Sequence, residues 1–126
     1  MTKTNAVAWF DIYVEDMDRA VTFYQTVFGV TLEALSDPSG EMAMMSFPMD
    51  MGNYGAGGAL CKSPHGKPGM GGTIVYFSSE DTAIEEARVA DAGGQVVQAK
   101  FSIGEFGWIS MCIDSEGNMF GIHSMA

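Results

Sequence analysis

The sequence predicts an α+β fold made of two βαβββ halves. Three observations point to it. Short apolar strands with period-2 patterning alternate with single amphipathic helices. A glycine stands where each helix must stop, Gly29 in the first half and Gly93 in the second. The order of elements recurs at an offset of 64 residues, which places Gly29 on Gly93, Trp9 on Thr73 and Asp16 on Glu80.

Taken in order, residues 8–14 (AWFDIYV) read as a strand. Asp16 follows as an N-cap, with Asp18 in the first turn, where the helix dipole favours an anion. Ala20, Phe23, Val27 and Phe28 recur at helical spacing up to Gly29. Residues 30–35 read as a short strand, Pro38-Ser39-Gly40 as a turn and 41–48 as another strand. A glycine-rich loop, 49–58, leads to a short strand at 59–62. The segment KSPHGKPGMGG, 62–72, carries two prolines and four glycines and reads as a flexible linker. Beyond it, 73–78 (TIVYFS) is a strand, and Asp81 or Ser79 caps a helix running to Ala92. That helix has Ala83, Ile84, Ala87 and Ala90 on its apolar side, and Gly93-Gly94 stops it. Strands at 95–99 and 106–113, a hairpin turn at Asp114-Ser115-Glu116-Gly117-Asn118 and a last strand at 119–124 complete the second half.

The chain of 126 residues is one domain's worth, with modules at about 6–62 and 73–126 and the linker at 63–72. Half-domains of about 60 residues are too small to stand alone, so they must pack on each other or on a partner chain. Sixteen acidic against six basic residues give a net charge of −10. Such a surface repels phosphate backbones and anionic lipid, which argues against nucleic-acid or membrane-surface binding. No apolar run approaches the ~20 residues that span a bilayer or forms a secretory core, so the expectation is a cytoplasmic protein. Cys61 and Cys112 fit neither a disulfide framework nor a zinc ribbon and read as small buried apolar residues.

Two motifs carry a family resemblance that covers the whole chain. FDIYVEDMDRAVTFYQTVFG, 10–29, holds an acidic cap and an A-x-x-F-Y-x-x-x-x-G helix, here Ala20, Phe23, Tyr24 and Gly29. DSEGNMFGIH, 114–123, holds a D-x-x-G-N hairpin, here Asp114, Gly117 and Asn118. Both resemble the vicinal oxygen chelate superfamily, the glyoxalase/bleomycin resistance/dioxygenase fold. The resemblance implies two βαβββ modules whose curled mixed sheets enclose a concave site, a small-molecule ligand and a homodimer. It also implies a divalent metal held by His, Gln or Glu at four inward positions. Aligned to this sequence those positions fall on Trp9, Thr73, near Ala59 and on Gly121. None carries such a donor, so no cofactor is predicted.

Strand alternation then says what lines the hollow. If Trp9 faces inward, so do Asp11 and Tyr13, while Phe10, Ile12 and Val14 face the helix layer. Gly121 shares a face with Met119 and His123, Ala59 with Cys61, and Thr73 with Val75 and Phe77. A floor of Ala59 and Gly121 is thus ringed by Trp9, Asp11, Tyr13, Cys61, Phe77 and His123. His123 and Asp11 are the candidate acid–base residues. Each also has a plain structural role open to it, a backbone-paired strand histidine and a hydrogen-bonded carboxylate at the module interface. Glu105 lines the mouth of the cavity or is a solvated loop residue. His65 stands in the linker, and Cys61 has no adjacent base that would activate it. Met42, Met44, Met45, Met49 and Met51 cluster near one strand, as pocket lining or core filling.

Two functions remain open at this level. One is a metal-independent lyase or isomerase acting on a small oxygenated substrate through Asp11 and His123. The other is a non-catalytic protein that sequesters a drug or a cationic aromatic molecule.

Overall fold

A computed structural model describes residues 9–37, 39–50, 52–53, 55–71 and 73–126. Ala8 of the first expected strand, Pro38 of the turn, Met51 of the methionine cluster and Gly72 of the linker lie outside them. The first sheet holds β1 (Trp9–Tyr13), β2 (Glu33–Leu35), β3 (Ala43–Ser46) and β4 (Gly57–Lys62), in the order β1-β4-β3-β2. The second holds β5 (Val75–Ser78), β6 (Gln95–Ser102), β7 (Trp108–Ile113) and β8 (Met119–Ser124), in the order β5-β8-β7-β6. The two sheets repeat one topology: the first strand pairs parallel with the last, and the rest is antiparallel. Helices α1 (Met17–Phe28) and α2 (Thr82–Glu86) follow β1 and β5. This is the predicted α+β arrangement.

Helix α1 forms for the reasons its sequence announces. The Asp16 side chain accepts the Arg19 N–H at 3.0 Å, and Gly29 closes the helix at φ 65° with its N–H on the Gln25 carbonyl. Its buried stripe is Ala20, Phe23, Tyr24 and Val27. That stripe serves both sheets. Tyr24 meets Phe47, just after β3, at 5.4 Å between ring centroids, and Phe23 meets Phe120 of β8 at 5.9 Å. The core is therefore one body shared by the modules, containing Ile12, Val14, Leu60, Val89, Cys112, Phe120 and Ile122.

The second half departs from the expected elements at β6, which runs to Ser102 rather than residue 99, and in three further places. Helix α2 ends at Glu86 rather than Ala92, because Arg88 and Val89 donate to the carbonyls of Glu85 and Glu86, three residues back, in the tighter 3₁₀ pattern. A 3₁₀ turn at Gly104–Phe106 delays β7 to Trp108. The N-cap of α2 is Asp81, which stands 65 residues after Asp16, so the true offset through strand and cap is 65 and not 64. That one residue turns β5 over. Tyr76 lies beside Gly121, while Phe77 lies beside Ile122 and packs into the core against Phe28, at 4.6 Å between centroids. The expectation that Thr73, Val75 and Phe77 share a face with Gly121 is corrected accordingly.

The segment read as a flexible linker is tied down. Ser63 and Gly66 form an isolated bridge, and the Tyr13 ring lies so close to Gly66 that a Cβ there would sit 2.4 Å from it. The Gly69 N–H donates to the Asn118 side chain at 2.7 Å.

The hairpin 114–118 of the second module grips the first. Buried Asp114 accepts the Tyr24 hydroxyl at 2.6 Å and the backbone N–H groups of Glu116 and Asn118. Asn118 donates to the Tyr13 carbonyl at 2.9 Å. The fully buried Glu116 side chain accepts the backbone N–H groups of Glu15 and Asp16 and two bonds from Arg19, at 2.6 and 2.9 Å. Burial alone would raise the Glu116 pKa. The bonds from Arg19, from the Asp16 N–H, from Ser115 and from the Glu15 N–H outweigh it and hold the carboxyl at about 2, below its ordinary 4.5. A depressed pKa stabilises the fold above the unfolded value and ceases to do so as pH falls through the folded one. Glu116→Gln is thus expected to destabilise the protein by about 1–3 kcal/mol at neutral pH. The gap should close between pH 4.5 and about 2. Paired urea titrations across that range check it.

Candidate functional site

The edge strands β1 and β5 face each other across the seam between the modules. Their core-side rings Phe10 and Phe77 meet edge to face at 6.1 Å. On β1, Ile12 and Val14 are buried and Phe10 packs against the core, so Trp9, Asp11 and Tyr13 take the opposite face, as alternation requires. On the neighbouring β4, Ala59 lies beside Asp11 and Cys61 beside Tyr13. On the far side of the seam, Gly121 lies beside Tyr76 and His123 beside Ser78.

The side chains with chemical potential are engaged within the fold. The Trp9 indole N–H donates to Asp11 at 2.9 Å. Burial, then the charge of Asp11 and a hydrogen bond to it, push the Cys61 thiol up to about 12, so it stays protonated and is no nucleophile. His123 places Nε2 2.7 Å from the Phe106 carbonyl. A carbonyl only accepts, so Nε2 carries the proton. This is the backbone-paired strand histidine weighed above. Glu105 is exposed in the 3₁₀ turn, and His65 pairs with Glu41 at 3.2 Å in an exposed contact. Ala59 and Cys61 are completely buried within their sheet. Gly121 lies beneath Tyr76, where an added Cβ would come within 2.3 Å of the ring.

Among the described residues, two cavities open along the seam. The larger, about 810 Å³, is walled by Trp9, Phe10, Phe28, Phe47, Tyr76 and Phe77, with Thr73, Gly57, Gly58 and Glu85 among its other lining residues. The smaller, about 450 Å³, takes in Asp11, Tyr13, Thr73, Lys67, Asn118 and Met119. The structure thus brings Trp9, Thr73 and Phe77 to one cavity and Asp11, Tyr13 and Thr73 to the other. His123, Glu105, Ala59, Cys61 and Gly121 line neither among the described residues. Sequence reasoning missed Tyr76, Phe28, Phe47 and Glu85. Tyr76 was hidden by the one-residue offset, and Glu85 by the expectation that α2 turns only its apolar side inward. Phe28 and Phe47 carry no signal that separates a cavity wall from a core.

The divalent metal that the resemblance implies does not fit these residues. Trp9, Ala59 and Gly121 offer no donor, and the ring of Tyr76 rests on Gly121 where β5 meets β8. Among the described residues no three His, Cys, Asp or Glu side chains converge.

With this geometry in view, comparison with known proteins becomes specific. Residues 7–48 match the family model described as bleomycin resistance protein-like N-terminal. Over 122 residues the chain is 25% identical to the putative glyoxylase CFP32 of Mycobacterium tuberculosis, covering 97% of this chain and 45% of that one. Over 133 residues it is 28% identical to the anthracycline biosynthesis protein DnrV of Streptomyces peucetius, covering 93% and 46%. The chain spans about half the length of the curated relatives it matches. A solved glyoxalase I mutant of Zea mays shares the fold, with a TM-score of 0.73 at 19% identity over 94% of this chain and 44% of that one. The first third of the chain is thus similar to the bleomycin resistance model, and the whole described chain shares the fold of the solved glyoxalase. Among the described residues no helix is long and apolar enough to cross a membrane.

The state of Cys61 is directly testable. In the folded protein at neutral pH it should resist iodoacetamide for hours, and it should label within minutes in urea. Peptide mass mapping reads the difference, and rapid labelling of the native protein would contradict the burial described.

Proposed function

We propose that the protein binds an apolar, planar small molecule in the larger seam cavity and sequesters it without a metal and without chemistry, as a cytoplasmic protein. One observation carries this reading: six aromatic side chains from both modules wall a cavity of about 810 Å³, a size and lining suited to a drug-sized ligand. The groups that could do chemistry are engaged elsewhere, His123 with the Phe106 carbonyl and Cys61 as a protonated thiol. The likeness to a bleomycin resistance model and to an anthracycline biosynthesis protein supports the same class of ligand. Acridine, neutral and planar, is a suitable probe. It is expected to raise the melting temperature and to quench Trp9 fluorescence in a Trp108→Phe background. Trp9→Ala should weaken binding about tenfold by removing one stacking wall. Absence of any thermal shift with planar aromatic compounds at millimolar concentration would remove the reading.

A second reading is a lyase or isomerase acting through Asp11 and His123. The exposure of Asp11 to the smaller cavity and the likeness to a glyoxylase support it. It predicts that His123→Ala abolishes turnover of a substrate that the protein consumes, whereas sequestration predicts unchanged acridine binding in that variant.

We further infer a homodimer. The face of the second sheet that carries Phe101, Ile109, Met111, Ile113 and Met119, beside Gln98 and His123, is mainly apolar and only half-buried, and a second copy would cover it. Sedimentation equilibrium should give twice the chain mass of 13.5 kDa, and Met111→Glu should shift it toward a single chain.

A further inference from the structure

The larger cavity is lined mainly by apolar residues, yet one acidic side chain stands among its described lining residues, that of Glu85. Glu85 belongs to α2, in the helix layer of the second module, and it is half-buried. Its carboxylate accepts the Ser79 hydroxyl through Oε1, which anchors it to the end of β5. A carboxylate costs free energy beside apolar walls unless something pairs with it. The cavity's own walls cannot supply a cation: no Lys or Arg is among the described lining residues. They do supply the complementary environment for one. The faces of aromatic rings carry negative potential and attract organic cations within about 6 Å of the ring centroid.

We propose that Glu85 makes this cavity selective for organic monocations, with the planar body of the ligand among the aromatic walls and its positive charge at the carboxylate. The inference rests on the binding reading above and sharpens it to a ligand class. Glu85 is a specificity residue in it.

The test compares two probes of nearly the same shape, acridine and the permanently cationic 10-methylacridinium, by isothermal titration calorimetry at about pH 8. Wild type should bind the cation about tenfold or more tightly than the neutral probe. Glu85→Gln keeps the acceptor for Ser79 and should bring that ratio close to one, chiefly by weakening binding of the cation. Glu80→Gln removes the same charge from an exposed position near the N-terminus of α2 and should leave the ratio as in wild type. Equal binding of both probes by wild type overturns the inference and leaves the binding reading intact. So does an equal loss of selectivity in Glu80→Gln and Glu85→Gln, which would assign the preference to the general acidic field. Failure of both probes to bind wild type removes both readings, and binding of acridine without binding of the cation overturns the inference alone. Melting temperatures of the two variants within about 3 °C of wild type confirm that the ratios report on folded protein.

Discussion

The structure depends on how the second module terminates the first module's helix. A helix leaves orphan N–H groups at one end and orphan carbonyls at the other, with partial charges to match. Helix α1 meets both needs partly with groups from outside its own module. Glu116 binds the backbone N–H groups of Glu15 and Asp16 ahead of the first turn, and Arg88 donates to the Val27 carbonyl at 3.0 Å in the last turn. An anion thus sits at the positive end and a cation at the negative end. Between them, Tyr24 reaches Asp114 from the middle of the helix. Separating the modules would expose a common core, leave the Tyr24 hydroxyl without its partner and remove a charge from each end of α1. The seam can therefore remain open as a cavity without the modules drifting apart.

The same arrangement explains which parts of the sequence were legible. The two motifs that signalled the fold are structural. Ala20, Phe23 and Tyr24 are completely buried, Gly29 and Gly117 adopt positive φ, and Asp114 is buried at the module contact. Such residues are constrained by local geometry, so they stand out from a single chain. The facing of β1 was legible too, because Ile12 and Val14 can only point to the core. The facing of β5 was not. TIVYFS is apolar at most positions and alternates weakly, so its register had to be borrowed from Gly93, at the far end of α2. That helix tightens into 3₁₀ geometry beyond Glu86, and one residue of the count is absorbed there. Period-2 geometry turned that small error into exchanged faces for Tyr76 and Phe77.

Glycine and aromatic residues are matched across this fold in a consistent way. Phe10 lies over Gly58, Tyr76 over Gly121 and Tyr13 over Gly66, each so close that a Cβ would come within about 2.4 Å of the ring. An aromatic ring covers the bare backbone, and the glycine gives the ring room to lie flat. Two of these pairs border the larger cavity, since Phe10, Gly58 and Tyr76 all line it. At these places the wall presents flat ring surfaces over bare backbone. Of the positions that the resemblance assigns to a metal, Trp9 lines the larger cavity and Gly121 lies beneath the Tyr76 ring.

Net charge and local charge then act at different ranges. Of the six basic residues, Arg19, Arg88 and Lys100 are engaged inside the fold, with Glu116, with the Val27 carbonyl, and with Asp81 and the face of Trp108. Most of the sixteen acidic side chains therefore face solvent with little neutralisation nearby. At physiological ionic strength that field decays over about 8 Å. It can raise the local concentration of a cation and speed its arrival, but it is weak against one that has already left solvent. Residence depends on what the walls offer at contact distance. In the proposed reading, a cavity with aromatic rings on its sides and one carboxylate at the helix layer discriminates at contact: an anion meets the charge of Glu85, a neutral molecule leaves it unpaired, and a cation gains both rings and charge.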